Sequence, residues 1–300
     1  MTSILFSKMI SIFIMLVIGW ICSQLAIVDK STKDKLTVLS TQIVTPCLVF
    51  MSFQIEFDAH LLQNMGIAFA VSMLIHVGAI FASRFAIRND GKHDNAVERL
   101  MLIYTNCGFM GFPLAYAVAG NEGVIYATTY NAAFTIFVWT QGIGMFRDKG
   151  GSFSWRKVLN PAIIATVLGL LCFLIRFYVP ESVGFALDSI GDMNTPLAMI
   201  IAGAVIGELN LKNMLLKKRT YYIIAMKLLV FPAIFCLILR FLPLEEMVKL
   251  IMGMLAACPS GAIGIMLAIL YKRDDHYAAE IFAMTTLFSI VTIPLCMFLL

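Results

Sequence analysis

Apolar stretches of about twenty residues recur ten times along this chain, near 4–26, 35–54, 61–86, 99–119, 122–146, 158–178, 185–207, 219–241, 248–271 and 276–299. Crossing the hydrocarbon core takes about 20 largely apolar residues in a helix. The pattern therefore predicts an all-α polytopic membrane protein with ten transmembrane helices. Thr45-Pro46 and Thr195-Pro196 lie 150 residues apart, and the segment 17–22 lines up with 167–172 at the same offset. This divides the chain into a first five-helix repeat at 1–147, a short cytoplasmic linker at 148–157 and a second five-helix repeat at 158–300. Five is odd, so the second repeat enters the membrane from the opposite side. A 5+5 inverted repeat is a common plan of secondary transporters, because it generates two pseudo-equivalent states for alternating access.

Spans four and nine break the helical pattern at corresponding places. Span four reads Tyr104-Thr105-Asn106-Cys107-Gly108-Phe109-Met110-Gly111-Phe112-Pro113, and span nine reads Ala256-Ala257-Cys258-Pro259-Ser260-Gly261-Ala262-Ile263-Gly264. Proline removes an amide donor and clashes with the preceding turn, and glycine unwinds at low cost. The second half-helices are expected to start near Gly111–Pro113 and Pro259–Gly261. Entering from opposite sides, their positive ends would converge on one small volume and bind an anion through free amides and the helix dipole. A few such contacts support binding in the micromolar to millimolar range, about −8 to −4 kcal/mol.

Composition agrees with lipid as the main solvent: 60% of residues are hydrophobic and 13% charged, with a mean hydropathy of +0.90. The first span is too long for a signal peptide and lacks a small-x-small cleavage site, so a retained helix is expected. Of 22 Lys and Arg residues, 17 fall in the loops that are cytoplasmic if the chain starts outside, among them Arg84, Arg147, Lys212 and Arg273. The positive-inside rule then puts both termini outside the cell membrane. The net charge of +4 reports this orientation, and no nucleic-acid partner is expected. Seven cysteines sit in apolar spans without metal-ligand spacing and read as small buried hydrophobes. No Gly-x-Ser-x-Gly elbow or His-Glu-x-x-His pair occurs, which argues against an enzyme, and no cofactor is expected.

Asn106-Cys107-Gly108-Phe109-Met110-Gly111-Phe112-Pro113, Pro259, the run Ala268 to Asp274 and the closing Leu287-Phe288-Ser289-Ile290-Val291-Thr292-Ile293-Pro294 resemble the auxin efflux carrier family, which includes bacterial carriers assigned to malonate or malate. The resemblance implies ten helices with crossing spans four and nine, and a mobile unit of spans three to five and eight to ten. It also implies homodimers, at least in the plant branch, with Asn106 on the substrate carboxylate and Pro113 and Pro259 marking the crossover. The plant proteins place proline closer behind the asparagine than Pro113 stands here, and the detailed auxin site does not carry over.

The remaining polar residues leave alternatives open. Lys227 lies about 12 Å past Arg219 at 1.5 Å per residue, and a mid-span lysine costs about 2.5–3.5 kcal/mol to insert. It either serves an anion or proton-linked role or is a snorkelled or paired structural lysine. His76 is a packing histidine or a proton-coupling group. Asp192 couples a cation or proton, or is solvated with Asp188. Asn131 lines a polar pocket or bonds a neighbouring helix, and Glu280 is expected near the cytoplasmic interface. The expected function is a secondary carrier of a small organic anion, most plausibly a dicarboxylate such as malonate or malate, coupled to H+ or Na+. Its substrate site would comprise Asn106, Gly108, Gly111, Pro113, Pro259, Ser260, Gly261, Asn131 and Lys227, with His76 and Asp192 as coupling candidates. The alternatives are a sodium-coupled symporter of bile-acid type and an auxin-like monocarboxylate exporter.

Overall fold

A computed structural model describes residues 2–88, 91–146, 161–208 and 218–300. These residues form helices joined by turns and short extended links, with one isolated antiparallel bridge and no strand among them. Among the described residues, five helical stretches are long and apolar enough to cross a membrane: Lys30–Ser52, Ala59–Ala86, Glu181–Gly207, Lys218–Phe241 and Asp275–Met297. Large apolar side chains such as Phe85, Phe185 and Phe241 are exposed, as a lipid-facing surface requires. The protein is a multi-pass membrane protein. The linker 148–157, with Arg147, Lys212 and Lys217, lies outside the described residues.

At three prolines the helix widens rather than ends. Among the described residues, three of four π turns end two residues before a proline: Ser40–Val44 before Pro46, Cys107–Gly111 before Pro113 and Met226–Val230 before Pro232. In each, the residue four positions before the proline lies inside the π turn. The wider i→i+5 turn removes the clash between the ring and that residue's carbonyl. The fourth π turn, Val138–Gly142, has a different cause. The Tyr104 hydroxyl inserts there, 2.8 Å from the Phe137 carbonyl oxygen and 2.7 Å from the Gln141 carboxamide, and occupies the carbonyl that the widened ladder frees.

The chain forms two compact units that each draw on both halves of the sequence. Unit one takes the described residues of Met1–Ile67, Gly108–Thr129 and Trp155–Glu208, and unit two those of Ala68–Cys107, Tyr130–Ser154 and Leu209–Leu300. The boundary therefore falls inside the segments 61–86, 99–119 and 122–146.

In unit one, helix Thr2–Gln24 runs against helix Asn194–Gly207 at backbone contact. A Cβ at Gly19 would lie 2.7 Å from Ile200 Cα, and one at Gly203 would lie 2.8 Å from Trp20 N. Small residues allow this approach, the usual way for membrane helices to gain packing. Gln24 Nε2 donates to the Gly207 carbonyl at 2.7 Å, and Lys33 pairs with Glu208. The Thr45 hydroxyl donates to Asn194 Oδ1 at 2.7 Å, so the two Thr-Pro positions found in the sequence meet one residue out of register.

In unit two, helix Asp275–Met297 is largely buried, and Thr285, Thr286 and Ser289 satisfy their hydroxyls on carbonyls one turn back. Aspartates cap two neighbouring starts. Asp94 accepts from Ala96 and Val97 amides, and Asp274 from the Tyr277 amide. Just inside these caps, the fully buried Glu98 accepts from Arg219 Nε at 2.8 Å, Arg219 Nη2 at 2.6 Å and the Tyr277 hydroxyl at 2.9 Å. One carboxylate thus ties helices Asn95–Ile103, Lys218–Ala225 and Asp275–Met297 together. Glu98→Ala is expected to cost about 3 kcal/mol, because removing one partner of a buried pair strands the other. Tyr277→Phe is expected to cost only about 1 kcal/mol, the worth of one hydrogen bond. Thermal unfolding in detergent measures both, and equal losses would deny Glu98 this central position.

Candidate functional site

The segments expected to be spans four and nine are both interrupted, and in unit two the interruptions pair with each other. Helix Asn95–Ile103 ends at Tyr104, whose backbone is extended (φ −90°, ψ 115°), and helix Glu246–Ala257 ends at Cys258, also extended (φ −58°, ψ 148°). Thr105 and Ser260 then form an antiparallel bridge. Asn106 N donates to the Pro259 carbonyl at 2.7 Å, and Gly261 N donates to the Tyr104 carbonyl at 2.9 Å. Each break exposes backbone groups that no lipid can satisfy, and the two breaks satisfy one another. A Cβ at Gly261 would lie 2.9 Å from the Thr105 carbonyl oxygen, so glycine is needed for the segments to approach this closely.

The pairing commits amides at both breaks. In span four the first half-helix ends at Tyr104, and the second α-helix starts at Phe112, within the expected Gly111–Pro113. Behind the π turn Cys107–Gly111, Pro113 stands in the first turn of the stretch Phe112–Phe137, which is divided by a kink at Ala119 and Gly120 (φ 57°). The Asn106 and Gly261 amides are committed to the crossover, and Ser260 N donates to the Thr285 hydroxyl at 3.2 Å while Ser260 Oγ donates to the Met101 carbonyl at 2.8 Å. Free donors remain beside them. The buried Asn106 carboxamide has no hydrogen-bond partner among the described residues, nor do the Ala262 and Ile263 amides at the start of helix Ile263–Leu270. That start carries the positive end of the helix dipole.

Lys227 supports the crossover from the widened turn of helix Lys218–Phe241. Its side chain is 2% exposed, and Nζ donates to the Leu102 carbonyl at 3.0 Å. Leu102 lies in the last turn of Asn95–Ile103, so the ammonium meets the negative end of that half-helix. Asn131 is buried and accepts from the Cys107 thiol at 3.7 Å. The Thr105 hydroxyl lies 3.4 Å from that of Tyr130. His76 packs among Tyr104, Tyr130, Phe134 and Phe137.

Unit two therefore gathers Asn106, Pro259, Ser260, Gly261, Asn131, Lys227 and His76, whereas Gly108, Gly111, Pro113 and Asp192 belong to unit one. Asp192 is exposed at the carboxyl end of helix Glu181–Gly191. Tyr104, Thr105, Met101 and Leu102 were not anticipated. Three of them act through backbone carbonyls, which no side-chain pattern reveals. Glu280, expected near an interface, is buried in the first turns of its helix, with one oxygen 3.4 Å from His276 Nδ1.

A family model described as membrane transport protein matches residues 4–155 and again residues 149–297. The chain belongs to this family, the auxin efflux carriers. An uncharacterized transporter of Methanothermobacter thermautotrophicus is 22% identical over 295 residues, covering 95% of each chain. A second, from Methanocaldococcus jannaschii, is 22% identical over 301 residues, again covering 95% of each. Both are similar to this chain from end to end, and the protein is a membrane transporter.

Proposed function

We propose that the protein is a secondary carrier for a small organic anion, a dicarboxylate such as malonate or malate, working by alternating access on ten spans arranged as a 5+5 inverted repeat, with both termini outside the cell membrane. The observation that carries this reading is the antiparallel pairing of Thr105 with Ser260. It supports a crossover of spans four and nine whose flanking donors, the Asn106 carboxamide and the Ala262 and Ile263 amides, suit a carboxylate. Charge-assisted hydrogen bonds of this kind contribute about 1.5–3 kcal/mol each, enough for a ligand that must also be released. The family model matching twice along the chain supports the repeat.

Lys227 favours proton over sodium as the coupling ion. In carriers of this architecture, carbonyls at the ends of half-helices coordinate the coupling cation. Here an ammonium of the protein itself occupies the Leu102 carbonyl. This argues against the sodium-coupled reading.

Flux of radiolabelled mono- and dicarboxylates in proteoliposomes tests the proposal. Uptake of a dicarboxylate that is sodium-independent and is lost in Asn106→Ala supports it. Uptake that requires sodium, or that Asn106→Ala leaves unchanged, overturns the coupling or the site, respectively. Lys227→Met is expected to weaken anion affinity about tenfold or more, corresponding to one lost charge interaction of about 1.4 kcal/mol. Competition binding measures this, and unaltered affinity would make Lys227 structural.

A further inference from the structure

A small cavity in unit two is lined by Lys227, His76, Thr105 and Tyr130 with apolar residues that include Leu102 and Phe235. It offers a volume of about 10 Å³ to the centre of a water molecule, room for one water at most. His76 Nδ1 lies 2.8 Å from the Ser72 carbonyl oxygen. A carbonyl only accepts, so Nδ1 carries the proton, and Nε2 of the neutral ring presents a bare lone pair. Nε2 is buried and has no hydrogen-bond partner. The ring cannot turn to find one, because Phe137 stacks on it at 5.5 Å and Tyr130 packs at 4.9 Å. Nδ1 faces the backbone of its own helix, so Nε2 points away from it.

The cavity therefore holds an ammonium with donors to spare and an acceptor with nothing to accept. Among the described residues no carboxylate lines it. The other titratable groups around the pair are the hydroxyls of Tyr104 on span four and Tyr130 on span five, with the thiols of Cys107 and Cys258. Two cations lining one cavity this small repel, by about 4 kcal/mol for a separation of about 4 Å at an effective dielectric of 20. The pair consequently holds one excess proton.

We infer that Lys227 and His76 form a single proton-binding site, bridged by one water, whose proton is the coupling ion of the carrier. This rests on the organic-anion reading above. In the transfer a Lys227 Nζ–H bond breaks, the bridging water relays the proton, and a bond forms at His76 Nε2, leaving a neutral amine and an imidazolium. With the proton on Lys227, the crossover carries positive charge at the Leu102 carbonyl and favours an anion. Binding of the anion in turn favours retention of the proton, since linkage is reciprocal. The two are carried together.

The test uses full-length protein in nanodiscs with ¹⁵N-histidine, His76 being assigned from the spectrum of His76→Gln. In the native protein the His76 Nε2 resonance should carry the signature of an acceptor bridged through water to an ammonium, whereas in Lys227→Met it should shift to that of an unbridged neutral imidazole. Identical His76 signals in both proteins would overturn the shared site. Should Lys227→Met fail to fold, proteoliposome flux decides instead. In His76→Gln the ratio of malonate uptake driven by a pH gradient to malonate exchange should fall about tenfold or more, and an unchanged ratio would overturn the inference. A native protein that exchanges none of the screened anions refutes the carrier reading, while the histidine spectra still decide the proton site.

Discussion

Gly261→Val should abolish anion transport while leaving a folded protein. The new Cβ would sit 2.9 Å from the Thr105 carbonyl oxygen, and that oxygen belongs to backbone held by the bridge itself. Relief requires the two extended segments to separate, at the expense of the Gly261-to-Tyr104 and Asn106-to-Pro259 bonds. Displacement of binding groups by about 1 Å commonly costs about a hundredfold in rate, and a loss of that order is expected in initial flux. Gly66→Ala is the matched control. Gly66 is exposed in mid-helix with nothing within 4 Å of an added Cβ, so the substitution should raise stability by about 0.5–1 kcal/mol. Normal flux in Gly261→Val would mean that the close pairing is not needed for transport.

Gly203→Val should have the largest effect on folding. Its added carbons would meet the Leu16 carbonyl and lie 2.8 Å from Trp20 N, and a helix backbone cannot step aside as a side chain can. Helices Thr2–Gln24 and Asn194–Gly207 would have to part along their length and break the Gln24-to-Gly207 bond. A cost of about 3 kcal/mol or more is expected. Fluorescence-detected size exclusion after a heating series measures this. A native elution profile and midpoint would show that the helices do not rely on glycine contact.

Much of this architecture is legible in the sequence, for definite reasons. Long apolar runs announce spans because lipid tolerates little else. The interruption of spans four and nine is announced by glycine and proline at matching places. The end of the first half-helix at Tyr104 is not, because no glycine or proline stands there and proline itself has two outcomes. It can end a helix, or it can be accommodated by a π turn, as happens at Pro46, Pro113 and Pro232. The choice depends on tertiary packing.

The site divides in the same way. Asn106 and Lys227 stand out as polar residues in apolar runs, and both are buried beside the crossover. The partners that give them meaning, the carbonyls of Leu102, Tyr104 and Pro259, are invisible to any reading of side chains. Glu98 hides for another reason. It sits four residues after a capping aspartate, where an exposed glutamate is ordinary, and only the approach of Arg219 and Tyr277 marks it as buried. Asp192 shows the reverse: an acid inside an apolar stretch suggests coupling, yet it lies exposed where a helix is interrupted.

The central claim is that paired helix breaks present donors to a carboxylate. A density map of the protein in nanodiscs, saturated with the dicarboxylate selected by flux, tests it most directly. The account predicts spans four and nine broken and bonded at Thr105 and Ser260, with a carboxylate within hydrogen-bonding distance of the Asn106 carboxamide and the Ala262 and Ile263 amides. Continuous helices through both spans, or an anion seated elsewhere with these donors empty, would contradict it.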